Sequence, residues 1–488
     1  MSERLERLAL ALLQPGFEGM TAPGWLRHHI AGGLGAVGLF GRNIATPEQV
    51  AALTEELRRE NPDLLVAIDE EGGDVTRLHV NTGSRWPGNL ALGVVDDPAL
   101  TESVARGLGR ELAACGVNLN WAPSADVNSN PDNPVIGVRS FGAGPELVAR
   151  HTAAYVTGMQ AAGVATCVKH FPGHGDTAVD SHLGLPRVNA SREVLAAREL
   201  VPFHAAVAAG SKAIMTAHIV LPAYDTEQPA TLSRAIMTGL LREELGYDGL
   251  IVTDAIEMGA IADTYGIAEG TVRAIAAGVD ALCVGGGLCD EETVLHLRDA
   301  LVSAVREGRL PEERLAEAAG RVHALAAWAK VGAAEPVDYG LGLDAARRAL
   351  RVTGTVVPIT TPAHVVELSP IANIAVGEQT PWGLGALLGD TLPGTTVARS
   401  RTTEPGLVDD QLRAAADRPL VVVVRNLDHH VWATEIVASL LAARPDAVVV
   451  EMGLPGAATP GAAHLATHGA ATVCGIAAAE ILTGRRLA

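Results

Sequence analysis

Strand, polar cluster, helix: this order recurs about seven times across the first ~330 residues, and a rhythm of that kind restricts a chain to a parallel sheet. The runs Gly35–Phe40, Leu64–Ile68, Val117–Trp121, Gly163–Val168, Ala213–Met215, Leu250–Val252 and Ala281–Val284 are short and apolar, as buried strands are. Helical stretches alternate with them. They are Pro47–Glu60 (Thr46 at the N-cap, Pro47 at the first turn), Leu100–Ala114, Glu146–Ala162, Ser191–Ala209, a stretch near Ser233–Leu245, and residues 268–277. So many units suit a closed (β/α)8-type barrel better than one open sheet. Titratable residues gather just after the strands: Asp69, Asp126, Arg139, the stretch 169–182, His218 and Asp254. A barrel brings all strand exits to one rim, so the polar clusters converge there.

The densest cluster is Lys169-His170-Phe171-Pro172-Gly173-His174-Gly175-Asp176-Thr177-Ala178-Val179-Asp180-Ser181-His182. One Lys, three His and two Asp on a loop are poor core material and good material for proton transfer. A metal site is the sharpest rival, with His170, His174, His182, Asp176 and Asp180 as ligands. Pro172 and Gly173 prevent a helix that would align His170 with His174, so no metal and no cofactor is expected. Gly33, Gly35 and Gly38 match a dinucleotide fingerprint by letter. They precede and enter a strand instead of following it, so that reading is rejected.

The rhythm breaks after a helix at Leu315–Lys330. The expected division is a barrel over 1–335, a linker over 336–351, and a smaller α/β sandwich over 352–488. Its strands are read at Val365–Leu368, Ile374–Val376, Leu420–Val424 and Ala447–Glu451, with a helix at Glu435–Ala443. His429 and His430 read as surface or interface residues, because neighbours in one element seldom face one site.

A net charge of −19 argues against nucleic acid and anionic membrane as partners. The five cysteines are scattered and form no CxxC pair, so neither disulfides nor a zinc ribbon is indicated. Residues 1–13 mix charges with leucines and lack the apolar core of a signal peptide; no uncharged apolar run reaches membrane-spanning length. A cytoplasmic protein, monomer or homodimer, is the expectation.

The motif Lys169-His170-Phe171-Pro172-Gly173-His174-Gly175 followed by Asp180-Ser181-His182 resembles glycoside hydrolase family 3, in its β-N-acetylglucosaminidase branch. Asp69-Glu70-Glu71-Gly72-Gly73, Arg139-Ser140-Phe141 and Gly246–Asp254 support the resemblance. It implies a retaining, two-step hydrolysis of terminal β-linked N-acetylglucosamine from peptidoglycan- or chitin-derived fragments. Asp254 matches the nucleophile, His182 the acid/base and Asp180 its partner. Asp69, Arg139, Lys169 and His170 match residues that hold sugar hydroxyls. An imidazole with a reference pKa of about 6.5 can give a proton and take one back, and a carboxylate two residues away can orient it. The residues after Asp254 are Ala255-Ile256-Glu257-Met258, where the pattern has a second acid, and Asp176 adds a carboxylate near the dyad.

Plainer readings stand beside these. Asp254 could cap a helix; Asp69 and Asp126 could do the same, and of the two only Asp69 is assigned to substrate. His174 is read as a loop brace, and His218 is left open between pocket and core. Alternatives for the whole chain are a phosphorylase or β-glucosidase of the same family, or a catalytically idle sugar-binding protein.

Overall fold

In the computed structural model, which describes residues 2–181, 184–330, 335–371 and 374–487, eight short parallel strands follow one another along the chain. They are β1 (Leu13–Pro15), β2 (Ala36–Leu39), β3 (Leu65–Ile68), β4 (Leu119–Asn120), β5 (Ala165–Phe171), β6 (Ala213–Thr216), β7 (Leu250–Val252) and β8 (Leu282–Val284). Strands β2 to β7 form one sheet in chain order. β8 pairs with β1, Leu13 opposite Leu282, and a bridge between Val252 and Ala281 links it to β7. Alternate residues of seven strands share one buried cluster: Ala36, Leu65, Ala67, Leu119, Ala165, Cys167, Ala213, Met215, Leu250, Val252 and Cys283. Side chains from β2 through β8 meet in one core only because the sheet curls on itself, as in a (β/α)8-type barrel. Many of them are Ala, which fits the tight interior of such a barrel and the 3% aromatic content of the chain.

The expected helices form, with Thr46 accepting the Gln49 N–H at the first cap (3.2 Å). Three local expectations need correcting. Residues 1–13, whose leucines at helical spacing read as a first helix, are helical only to Ala11, and residues 13–15 become β1, because the edge of β8 supplies a partner. β5 runs past Val168 to Phe171, so Lys169 and His170 end a strand and do not begin a loop. The helix read at 191–209 is two helices, Arg192–Ala197 and Val201–Ala208, separated where Pro202 cannot continue the ladder.

The start of β8 carries a buried carboxylate. Asp280 accepts from Arg314 (2.6 Å), Arg242 and the Ile251 N–H (3.0 Å). It lies at the strand's N-terminal end, away from the rim where strands exit.

Two compact units divide the chain: Met1–Glu71, Pro98–Ile136 and Gly142–Asp338; and Gly72–Asp97, Gly137–Phe141 and Tyr339–Ala488. The second contains a six-stranded sheet of β9 (Arg351–Gly354), β10 (His364–Leu368), β11 (Thr396–Ser400), β12 (Leu420–Val424), β13 (Val448–Glu451) and β14 (Ala463–Ala466), in the order 11-10-12-13-14-9. All pairings are parallel except β14 with β9. This is a doubly wound sandwich with an antiparallel edge. The strand expected at 374–376 is a turn whose carbonyls at Ala375 and Val376 accept the Arg77 guanidinium. The stretch 336–351 contains the helix Gly340–Ala349. Segment 72–97 is held in the second unit by an Asp74–Arg425 ion pair and by the Ala470 N–H on Asp74 (2.6 Å).

Candidate active site

The exits of β3, β4, β5 and β7 in the first unit supply the acidic and basic groups. β3 ends in Asp69-Glu70-Glu71. Across it stands Lys169, 3% exposed, with its Nζ 2.6 Å from Asp69 Oδ1 and 2.7 Å from Glu71 Oε1. Glu71 is as buried as Lys169, whereas 22% of the Asp69 side chain is exposed. The more exposed Asp69 carboxylate has lone pairs that can accept from a ligand's hydroxyls, while buried Glu71 faces the buried ammonium.

The tail of β5 pairs with the segment after β4. The Lys169 N–H donates to Pro123 O (3.0 Å), and the Ala125 N–H donates to Lys169 O (2.6 Å). That pairing brings Asp126 beneath the motif. Its Oδ2 lies 2.7 Å from His170 Nδ1 and accepts from Ser124 Oγ (2.9 Å); its Oδ1 accepts the His174 N–H (2.6 Å). Burial alone would raise the Asp126 carboxyl, but the charges and hydrogen bonds of His170 and His174 outweigh it and hold the group well below the usual carboxylate range. Asp126 was assigned to structure, and its observed work is to orient His170.

Burial, and then the charge of His170, push His174 down to about 4, so it is neutral at ordinary pH. Its ring bonds Thr177 Oγ1 through Nδ1 (2.7 Å) and Ser181 Oγ through Nε2 (3.0 Å). Asn133 Nδ2 donates to the carbonyls of His174 (2.9 Å) and Gly175 (3.1 Å). The segment lies so close to residue 127 that a Cβ on Gly175 would fall 1.7 Å from Val127 O. The segment thus leads to Asp180 along a braced path, and Asp180 O accepts the Gly184 N–H (3.2 Å). His182 lies outside the described residues.

Asp254 follows β7 directly, is partly exposed, and has its Oδ1 held by the Ala255 N–H (2.8 Å). His218 Nε2 donates to Ala255 O (3.0 Å), and its Nδ1 bonds Thr231 (2.7 Å). This buried histidine braces the nucleophile candidate's backbone. The thiols of Cys167 on β5 and Cys283 on β8 are raised by burial, and both also feel the charges of Asp69 and Asp254. Asp69 and Asp254 each follow a strand, β3 and β7, of one parallel sheet, so the two carboxylates lie at the same end of the barrel.

Arg139, in the short turn Gly137–Arg139, belongs to the second unit. It is buried there, and its carbonyl accepts from Asn89 Nδ2 (2.6 Å). Glu71 is the partner to which sequence reasoning gave no role, while Asp126 was read as structural and His218 stood open between pocket and core. Each was marked by its place at a strand exit. Among the described residues no three His, Cys, Asp or Glu side chains are grouped to hold a metal ion, and no helix is long and apolar enough to cross a membrane.

Residues 20–325 match the model of the glycosyl hydrolase family 3 N-terminal domain. The chain is 36% identical over 340 residues to beta-hexosaminidase A of Pseudoalteromonas piscicida, covering 65% of this chain but only 56% of that protein. It is 39% identical over 262 residues to a beta-hexosaminidase of Methylococcus capsulatus, covering 53% of this chain and 77% of that one. The structure of a glycoside hydrolase family 3 beta-N-acetylglucosaminidase from Paenibacillus sp. superposes with a TM-score of 0.89 at 37% identity, over 98% of this chain and 96% of that chain.

Proposed function

The chain belongs to glycosyl hydrolase family 3, and on that premise we propose that it is a retaining exo-β-N-acetylglucosaminidase that releases terminal β-linked N-acetylglucosamine from cell-wall or chitin fragments. The observation that carries this reading is Asp254: a partly exposed carboxylate at the exit of β7, at the same barrel end as Asp69. The beta-hexosaminidase names of the relatives and the Paenibacillus structure support the sugar class.

In this mechanism Asp254 attacks the anomeric carbon and the bond to the leaving oxygen breaks. His182, oriented by Asp180, gives that oxygen its proton. The resulting covalent glycosyl-enzyme is then opened by water, whose proton returns to His182. Asp69, Arg139, Lys169 and His170 are the residues assigned to the sugar hydroxyls. Asp126 stays charged and keeps His170 in one orientation, so the sugar meets a preset array and little reorganisation is needed. The division into a barrel over 1–335, a connection over 336–351 and a sandwich over 352–488, and a cytoplasmic location, complete the proposal.

The test is release of nitrophenol from the aryl β-N-acetylglucosaminide and from the matching β-glucoside, with and without phosphate. Faster turnover of the acetamido sugar, with free N-acetylglucosamine as product, supports the reading. A sugar 1-phosphate product replaces hydrolysis with phosphorolysis, and preference for the glucoside overturns the sugar assignment. Turnover of neither leaves a binding protein.

A further inference from the structure

The break between the helices Arg192–Ala197 and Val201–Ala208 places two charged residues against the motif loop. Arg198 leaves helical geometry (φ −127°, ψ −70°), and Pro202 stands in the first turn of the next helix. A continuous helix would need an N–H from Pro202 and would set its ring against residue 198. Arg198 and Glu199 occupy the gap instead.

Arg198 joins two carboxyls. Its Nη2 is 2.5 Å from Asp176 Oδ2, and its Nε is 2.6 Å from Glu199 Oε1. Glu199 is buried, and its Oε2 lies against Gly173: a Cβ there would fall 2.7 Å from that oxygen. Gly173 and Asp176 are both in the segment that runs to Asp180. The inner side of this segment is fixed by Asp126, Asn133 and His174. Its outer side is fixed by Arg198. Two carboxyls, Asp126 and Glu199, therefore flank residues 173–176, and Asp176 adds a third within the segment. Arg198 is the cation that bridges Asp176 to Glu199.

Resting on the hydrolase reading above, we infer that Arg198 is a positioning residue: by tying Asp176 to the buried Glu199, it sets where the segment 176–181, and the Asp180 carboxylate on it, meets the bound sugar. Without Arg198, Asp176 loses its tie to Glu199 and the loop loses its outer anchor. The reacting atoms at Asp254 are not touched, so the loss falls on protonation of the leaving group and not on nucleophilic attack.

The experiment compares kcat/KM for two N-acetylglucosaminides, a dinitrophenyl glycoside whose leaving group needs no proton and a disaccharide whose leaving group does. Arg198→Met should lower kcat/KM for the disaccharide by roughly tenfold or more, within the range of general acid catalysis, and leave the dinitrophenyl value within about twofold. Asp176→Asn should do the same, the double variant should be no worse than either single one, and Arg198→Lys should recover part of the loss. Melting curves of all four variants report folding. Equal losses on both substrates, or none on either, overturn the positioning role. A wild-type chain inert on both substrates overturns the hydrolase reading itself.

Discussion

Asp126 Oδ2 lies 2.7 Å from His170 Nδ1, and the opposite oxygen of the same buried carboxylate accepts the His174 N–H at 2.6 Å. One group thus fixes the His170 imidazole and the backbone of the loop that follows. Asp126→Asn keeps the shape but makes one oxygen a donor. Steady-state kinetics should show kcat/KM lowered at least tenfold, about 1.4 kcal/mol, and thermal melting should show a loss of about 1–3 kcal/mol from the spoiled buried hydrogen bonds. Unchanged kinetics would remove His170 from the substrate site.

Lys169 bridges Asp69 and Glu71 at 2.6 and 2.7 Å. Lys169→Met removes the ammonium that the buried Glu71 carboxylate contacts at 2.7 Å. Denaturant titration should show a loss of about 3–5 kcal/mol, together with loss of turnover. Adding Glu71→Gln should restore part of the stability and none of the activity. Recovery of both would make Lys169 purely structural.

Asp254→Ala should lower kcat by about a thousandfold or more, since in the proposed mechanism it removes the group that forms the covalent intermediate. A 2-fluoro analogue of the substrate should add one sugar mass to wild type by intact mass spectrometry and nothing to the variant. Labelling of the variant would place the nucleophile elsewhere.

Burial lifts Glu199 to about 7 from an ordinary 4.5. The folded chain then holds a proton that the unfolded chain has released, so the associated stability is complete below about pH 4.5 and is lost as pH rises through 7. His174, held at about 4, runs the other way: its contribution is complete above about 6.5 and is lost as pH falls toward 4. Denaturation of wild type and Glu199→Gln across pH 4.5 to 8 should show wild type losing ground to the variant by a few kcal/mol, at roughly 1.4 kcal/mol per pH unit. A constant difference would mean that Glu199 stays ionised throughout.

Asp280, beneath the barrel with Arg242, Arg314 and Arg321, should behave differently from all of these. Asp280→Asn should cost about 3 kcal/mol or more by removing the buried charge that pairs with three half-buried guanidinium groups. Active-site titration should show kcat per folded molecule unchanged.

Much of the barrel was legible because its strands are buried on both faces. Leu65–Ile68, Ala213–Thr216 and Leu250–Val252 read as apolar runs in any context. β1 and β9 were not legible. Leu13–Pro15 is three residues that become a strand by pairing with β8, and Arg351–Gly354 is exposed along its whole length. Their strand state comes from a neighbour and not from their own composition.

The sequence by itself determined that the first unit is a barrel with acids and bases at its strand exits, because period, punctuation and residue type are local properties. It also named Asp69, Lys169, His170, Asp180 and Asp254 as the groups to examine. Only the tertiary structure decided their partners: Glu71 with Lys169, Asp126 with His170, Arg198 with Asp176, and the grouping of Arg139 with residues 339–488. Ion pairs between residues 22 to 98 positions apart leave no periodicity in a chain. They exist only once folding has removed water from between the charges and raised what each pairing is worth.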